Sequence, residues 1–289
     1  MILEINDQNA ELIYPFFNQL HTIIPYVFLS SQESFIQSLL HDTSEGDEMF
    51  SRLYTYAIMS GTKVKGIVQY GIPNYEVRYD GERLYDSKIG VIRLLYFGLS
   101  SWSEGTTLMK RAMEFFRSSG VHSIRCFPHE YGLKVFAYHG KLYQSEHLLH
   151  WYLKMNGWKI SATSYYYTKS LKRMEKVSEN RGYSFIGEVV GEEIEFFTIC
   201  KYEKPIGGVQ LHFVNNGKCA YMDFIYLSDE YQGRGWGSEA LWQLMVVLKE
   251  HDIQRIDTDM EEMNAIGQRL LEKCKFGKLG KSCSYERSI

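Results

Sequence analysis

One stretch restricts the fold of this chain more than any other. An apolar, strand-like run from Cys219 to Leu227 leads through Tyr231-Gln232-Gly233-Arg234-Gly235-Trp236-Gly237-Ser238 into a segment of helical periodicity, with Ala240, Leu241, Leu244, Met245 and Leu248 on one stripe. A buried strand that turns through glycines into a helix start is the layout of an α/β unit. Glycines take positive φ and let an anion approach the main chain, the first N–H groups of a helix lack internal partners, and the helix dipole favours negative charge. Arg234 adds a charge-assisted contact. The loop lacks both the Lys-Ser/Thr ending of a P-loop and the glycine spacing of a dinucleotide fingerprint, so by itself it leaves an anion cradle and a plain tight turn both open.

A chain of 289 residues with 45% hydrophobic content is enough for two medium domains, each with its own core. The first third reads as a strand at Ile2–Ile5, helices near Ala10–Leu20 and Ser31–Leu40, and a hairpin of Arg52–Met59 and Val64–Tyr70 around Ser60-Gly61-Thr62-Lys63. A strand at Val91–Phe97, a helix at Thr106–Arg117, a strand at Ser123–Phe127 and a helix at Glu146–Met155 follow. Polar excursions interrupt them at Pro73–Lys88 and Pro128–Gln144. After a charged stretch at Lys169–Arg181 the later part of this order returns: strands at Tyr183–Val190, Glu193–Tyr202, Ile206–Val214 and Cys219–Leu227, a helix at Ser238–His251, a strand at Arg255–Asp259 and a helix at Asn264–Lys273. The two segments share the pattern β-β-β-α-β-α, which predicts a structural duplication with domains at 1–172 and 181–289 and the linker between them.

Bulk properties exclude several classes of function. A formal charge of -3 leaves no excess of Lys and Arg to neutralise a phosphate backbone, so nucleic acid is not an expected partner. Nowhere do about 18 consecutive apolar residues occur, and the amino terminus carries Glu4 and Asp7 without a basic region, so neither a membrane span nor a secretory leader is expected. Five cysteines without Cys-x-x-Cys spacing suggest a reduced, cytoplasmic protein. His129, His139, His147 and His150 cluster in sequence, with His147 and His150 on one helix face, but no Cys or carboxylate partner falls at ligand spacing except Glu130 and Glu146, and no metal is expected.

Gln232-Gly233-Arg234-Gly235-Trp236-Gly237 fits the Gln/Arg-x-x-Gly-x-Gly/Ala signature of the GNAT superfamily of N-acetyltransferases, and the chain from about Tyr183 onwards resembles an acyl-coenzyme A binding domain of that family. The strand before the loop and the later Asn264, Leu270, Glu272, Lys273 and Phe276 match the family's layout. The resemblance implies an α/β (α+β) fold of two tandem GNAT-like domains, each a mixed, mostly antiparallel sheet flanked by helices. It implies acetyl-CoA, or another acyl-CoA, as cosubstrate. Its diphosphate would lie on Gln232, Gly233, Arg234, Gly235, Trp236, Gly237 and Ser238, and its pantetheine arm along the backbone of Ile225, Tyr226 and Leu227 and near Asn264. A helix N-cap is the alternative role of Asn264.

Many members of the family protonate the departing thiolate with a Tyr where this chain has Leu271, so the resemblance leaves the acid to water, Tyr285, another residue or nothing at all. Asp223, on one strand face with Tyr221, is the candidate base, its alternative being a structural ion pair. The corresponding turn of the first half, Leu99 to Gly105, has one glycine, no Arg and an acidic Glu104; it resembles a degenerate copy. The second half passes from Val190 through Gly191 straight into its next strand, without the two helices that wall the acceptor pocket in the family, and an acceptor cleft between the domains is the expectation. The function so implied is acyl transfer to a primary amine of a small molecule or peptide by direct attack on the thioester. A non-catalytic acyl-CoA-binding module is the alternative, as is acyl or aminoacyl transfer to cell-wall or thiol precursors. A homodimer is left open.

Overall fold

The computed structural model describes residues 1–289 apart from 21–22, 42, 45–46, 78–82, 86–87, 173, 175–181 and 192. Most of the expected linker at Lys169–Arg181, and part of the Pro73–Lys88 excursion, lie outside the described residues. The chain divides into two compact units, Met1–Thr163 with Ser282–Ile289, and Ser164–Lys281.

In the first unit the strands β1 (Ile2–Glu4), β2 (Phe50–Ser60), β3 (Lys63–Pro73), β4 (Ile89–Phe97) and β5 (Ser123–Cys126) lie side by side in that order. The pairs are antiparallel except β4 with β5, which run parallel from Ile89↔Ser123 to Ile92↔Cys126 and pair no further. Helices α1 (Tyr14–Leu20) and α2 (Gln32–Leu40) pack on each other through Phe17 and Phe35, whose ring centroids are 4.7 Å apart. The Ser31 hydroxyl caps α2 by accepting from the Ser34 N–H, as its Ser-rich start requires. Helix α3 (Trp102–Ser118) lays Leu108, Met109, Ala112, Met113 and Phe116 on β3 and β4, and α4 spans His147–Met155.

The second unit orders its strands as β6 (Lys159–Ser170), β11 (Arg255–Glu261), β10 (Cys219–Leu227), β9 (Lys204–Val214), β8 (Ile194–Lys201) and β7 (Tyr183–Gly191). Again a single pair, β10 with β11, is parallel. Helix α5 (Trp236–Glu250) buries Ala240, Leu241, Leu244, Met245 and Leu248, the stripe legible in the sequence. With α6 (Ala265–Lys273) and one face of the sheet it encloses a core that includes Val209, Leu211, Met222, Ile256 and Leu271. β7 ends at Gly191 and β8 begins at Ile194, so among the described residues this unit carries no counterpart of α1 and α2.

Two strands depart from the expected order and move the domain boundary. Neither β6 nor the last strand, β12 (Gly277–Ser288), carries the apolar alternation that marks a strand in a sequence. β6 follows α4, yet its residues Ser164–Ser170 pair with β11 in the second unit. β12 follows α6, yet Tyr285–Ser288 pair with Cys126–Ser123 of β5, and Cys283 and Ser282 with Leu142 and Tyr143, in the first. The terminal strands are exchanged between the halves. The boundaries at 1–172 and 181–289 therefore give way to a division inside β6, because hydrogen-bond pairing, not a polar stretch, decides which residues form one compact body. Among the described residues no helix is long and apolar enough to cross a membrane.

Candidate functional site

The glycine-rich loop stands between β10 and α5 as a short turn, Asp229–Tyr231, followed by Gln232–Gly235. Gly233 and Gly235 have φ of +74° and +84°, values that strain any residue with a Cβ, which accounts for glycine at both positions. The Gln232 amide donates to the Leu227 carbonyl at 2.7 Å and to Asp229 Oδ1 at 3.1 Å, so its side chain braces the loop against the strand end. The backbone N–H of Gln232 is taken by the Asp229 carbonyl and that of Ser238 by the Gly235 carbonyl. The amides of Gly233, Arg234, Gly235, Trp236 and Gly237 make no hydrogen bond among the described residues. Of the seven amides expected to hold an anion, the two outermost are thus engaged and the central ones are open, in an exposed loop at the positive end of a helix dipole.

Cations surround this loop from three directions. The Arg234 guanidinium lies 5.9 Å from the Trp236 ring centroid, and Lys204 Nζ lies 5.3 Å over Tyr231. Lys201 is spent on Glu239, at 3.3 Å. The third cation, Lys273, is no part of the loop motif: its Nζ comes within 4.0 Å of where a Cβ on Gly235 would stand. α6 delivers it, because Leu270 and Cys274 on the same helix face approach Gly237 and Ser238 at the start of α5. A Lys in the last turn of a helix reads as an ordinary dipole partner, so its place beside Gly235 is invisible before α6 is laid across the loop.

Strand β10 opens the second part of the site. Its parallel pairing with β11 ends at Tyr221↔Asp257, and the Thr258 hydroxyl donates to the Met222 carbonyl at 2.7 Å. Beyond that point no pairing with β11 continues, and Ile225, Tyr226 and Leu227 lie past the end of the pairing, the Leu227 carbonyl being the one that Gln232 braces. In the register between β9 and β10, Gln210 faces Phe224 and Leu211 faces Met222, so Asp223 is the extra residue of a β-bulge. Its carboxylate, 30% exposed, accepts from Gln210 Nε2 at 3.1 Å and lies 3.8 Å from His212 Nε2.

Asp259 is a residue the sequence reading missed, although its two-residue spacing from Asp257 on a strand was a usable signal. It accepts the Tyr221 hydroxyl at 2.6 Å. Burial, then the charges of Asp259 and Asp223, hold the Tyr221 phenol well above its ordinary range. Asp257 itself is structural: buried, pushed up by burial, and bonded to Arg255 at 2.9 Å and to the hydroxyls of Tyr166 and Thr168.

Asn264 caps α6, its Oδ1 accepting the Gly267 N–H at 2.8 Å, so the helix-cap role is the one the geometry displays. Leu271 is fully buried in the core of the second unit, and a larger side chain there would meet packed neighbours. Tyr285 belongs to the first unit, where its hydroxyl is 2.5 Å from His150 Nδ1 while His150 Nε2 is 3.0 Å from the Tyr143 carbonyl. Nε2–H must donate to the carbonyl, so Nδ1 accepts from the phenol; the Tyr285 proton is committed within its own unit, and burial raises its pKa further.

The first unit repeats the layout with a shorter connection and a different bulge residue. Only Gly98–Ser101 joins β4 to α3, against Ser228–Gly235 in the second unit, so the connection between strand and helix is shortened at its centre. Arg93 occupies the bulge that matches Asp223, and its guanidinium donates to the carbonyls of Tyr131 at 2.6 Å and Gly132 at 2.7 Å. The segment after β5 is thereby held over the gap where β4 and β5 part.

Residues 155–276 match the sequence model of the acetyltransferase (GNAT) family. No curated protein sequence matches the chain. Among solved structures, a tandem GNAT protein from the clavulanic acid biosynthesis pathway is similar over 100% of this chain and 98% of its own, with a TM-score of 0.68 at 11% identity. A GCN5-related N-acetyltransferase from Sphaerobacter thermophilus covers 100% and 95%, with a TM-score of 0.66 at 9% identity. At such identities the likeness is one of fold, and it extends over both halves. Residues 155–276 therefore match the GNAT acetyltransferase family model, and the chain as a whole has the fold of the tandem GNAT proteins.

Proposed function

We propose that the chain is an N-acyltransferase that uses an acyl-CoA, acetyl-CoA in the first instance, to acylate a primary amine of a small molecule or peptide. The open amides from Gly233 to Gly237, joined by Arg234 and Lys273, carry this reading. They would hold the diphosphate, and the edge of β10 past the end of its pairing would take the pantetheine arm as an added strand. The amine must lose a proton before it attacks, and Asp223 or Asp259 is the carboxylate to receive it. As the C–N bond forms, a backbone N–H near Leu227 would stabilise the oxyanion; the C–S bond then breaks and the electron pair leaves on sulfur. A thiol ordinarily titrates near 8.5, so the thiolate departs and takes a proton from water without a phenol acid, in keeping with the buried Leu271 and the committed Tyr285. Five free, buried cysteines fit a reducing cytoplasm.

Calorimetry of the full-length protein with acetyl-CoA, followed by thiol release in the presence of an amine library, tests the proposal. Saturable binding with amine-dependent thiol release is expected. Saturable binding without turnover would make the protein an acyl-CoA-binding module, and no binding at all would remove the acyltransferase.

A further inference from the structure

The duplication supplies an internal comparison that bears on the acceptor. Gly66-Ile67-Val68-Gln69 of β3 and Gly207-Gly208-Val209-Gln210 of β9 hold the same register: Gln69 faces Leu94 as Gln210 faces Phe224, and Ile67 faces Tyr96 as Gly208 faces Tyr226. Arg93 and Asp223 are the matching bulges, and each meets its Gln, at 3.5 Å and 3.1 Å.

In the first unit this face is covered. Gln69 donates to the Leu39 carbonyl of α2, and Arg93 reaches the carbonyls of Ser38, Tyr131 and Gly132. Leu94 and Tyr96 are 6% and 5% exposed. In the second unit the equivalent Phe224 and Tyr226 are 42% and 51% exposed, and the chain between β7 and β8 is too short to supply a helix pair. Phe196 and Tyr226 converge over Gly208, where a Cβ would lie 2.4 Å from one ring and 2.9 Å from the other. Phe224 joins them, with centroids 6.3 Å from Phe196 and 6.2 Å from Tyr226.

Charge on the same face has one dominant sign. Strand alternation sets Glu188, Asp257, Asp259 and Glu261 on it, and the contacts of the bulged Asp223 with Gln210 and His212 bring its carboxylate there too, against Arg255, which is bonded to Asp257, and His212. Where the first copy seats its own guanidinium, the second has a carboxylate beside exposed aromatic rings. Carboxylate and ring faces together attract a cation with an apolar body and repel an anion.

Building on the acyltransferase reading, we propose that this face receives the acceptor and that the acceptor is a cationic alkyl- or arylalkylamine bearing no carboxylate or phosphate. The rings of Phe196, Phe224 and Tyr226 take the apolar arm, and Asp223 and Asp259 set the sign of the field in which the amine arrives.

Matched acceptor pairs test this with the full-length protein: phenethylamine against phenylalanine, and 1,4-diaminobutane against 4-aminobutanoate, which differ in a carboxylate. The amine without the carboxylate is expected to show kcat/KM at least about 10-fold higher in each pair, one decade being about 1.4 kcal/mol. Phe224→Ala and Phe196→Ala are expected to raise KM for phenethylamine about 5- to 30-fold, with acetyl-CoA affinity unchanged and Phe224→Tyr restoring KM. Calorimetric binding of the same amines with CoA present is expected to follow the same order whether or not turnover occurs. Equal or better use or binding of the carboxylated members, or a KM indifferent to both Phe substitutions, overturns the assignment. The expected order of binding without thiol release from any amine upholds the assignment and sinks the acyltransferase reading instead.

Discussion

Lys273 brings to the proposed diphosphate cradle a charge that the loop motif does not contain. Its Nζ stands beside Gly235, and a charge-assisted contact to phosphate at such an exposed place is worth about 1 to 2 kcal/mol. Lys273→Ala is therefore expected to weaken acetyl-CoA binding about 5- to 30-fold in calorimetry, while acetyl-pantetheine, which lacks the diphosphate, binds the variant and the parent alike. His150 makes a second residue-scale prediction. Burial holds its imidazole below the ordinary value, so the folded state refuses a proton that the unfolded chain accepts below about 6.5. Unfolding then takes up protons, and stability falls as pH drops from about 6.5 towards the lower folded value. Urea unfolding across pH 5 to 7.5 is expected to show this slope, and His150→Gln, which cannot titrate, to flatten it.

At the scale of the element, α6 has two jobs on two faces. One face runs Leu270, Lys273 and Cys274 along the first turn of α5, and Leu271 is sunk in the core. Leu271→Ala is expected to cost about 2 to 5 kcal/mol of stability in denaturant unfolding through transfer and cavity terms. Leu271→Tyr is expected to destabilise by overpacking and to leave the pH profile of turnover unchanged, since the phenol would enter the core. The sequence exposes α5 and α6 because their apolar spacing follows the helical period. It hides β6 and β12 because Lys159–Ser170 and Gly277–Ser288 are mixed, largely polar runs, and a strand paired on both edges is specified by its neighbours as much as by its own residues.

At the scale of the whole molecule, those hidden strands place Ser282–Ile289 in the first compact unit and Ser164–Ser170 in the second. A fragment beginning after Arg181 lacks Ser164–Ser170, the partners of Arg255–Glu261, and its last residues lack β5. Expressed alone, it is expected to show reduced cooperativity in thermal unfolding and fast hydrogen exchange across β11, while the intact chain protects that strand; a fragment as protected as the parent would contradict the exchange. The glycine loop, the α5 stripe and the repeated element order were legible in the amino acids, because local periodicity and φ preference need no distant partner. Lys273 beside Gly235, Asp259 under Tyr221, Asp223 in a bulge that its twin fills with Arg93, and Tyr285 in the other unit became visible once distant segments met. Register, bulges and strand partnership are relations between segments far apart in the chain, and no single stretch of residues encodes them alone.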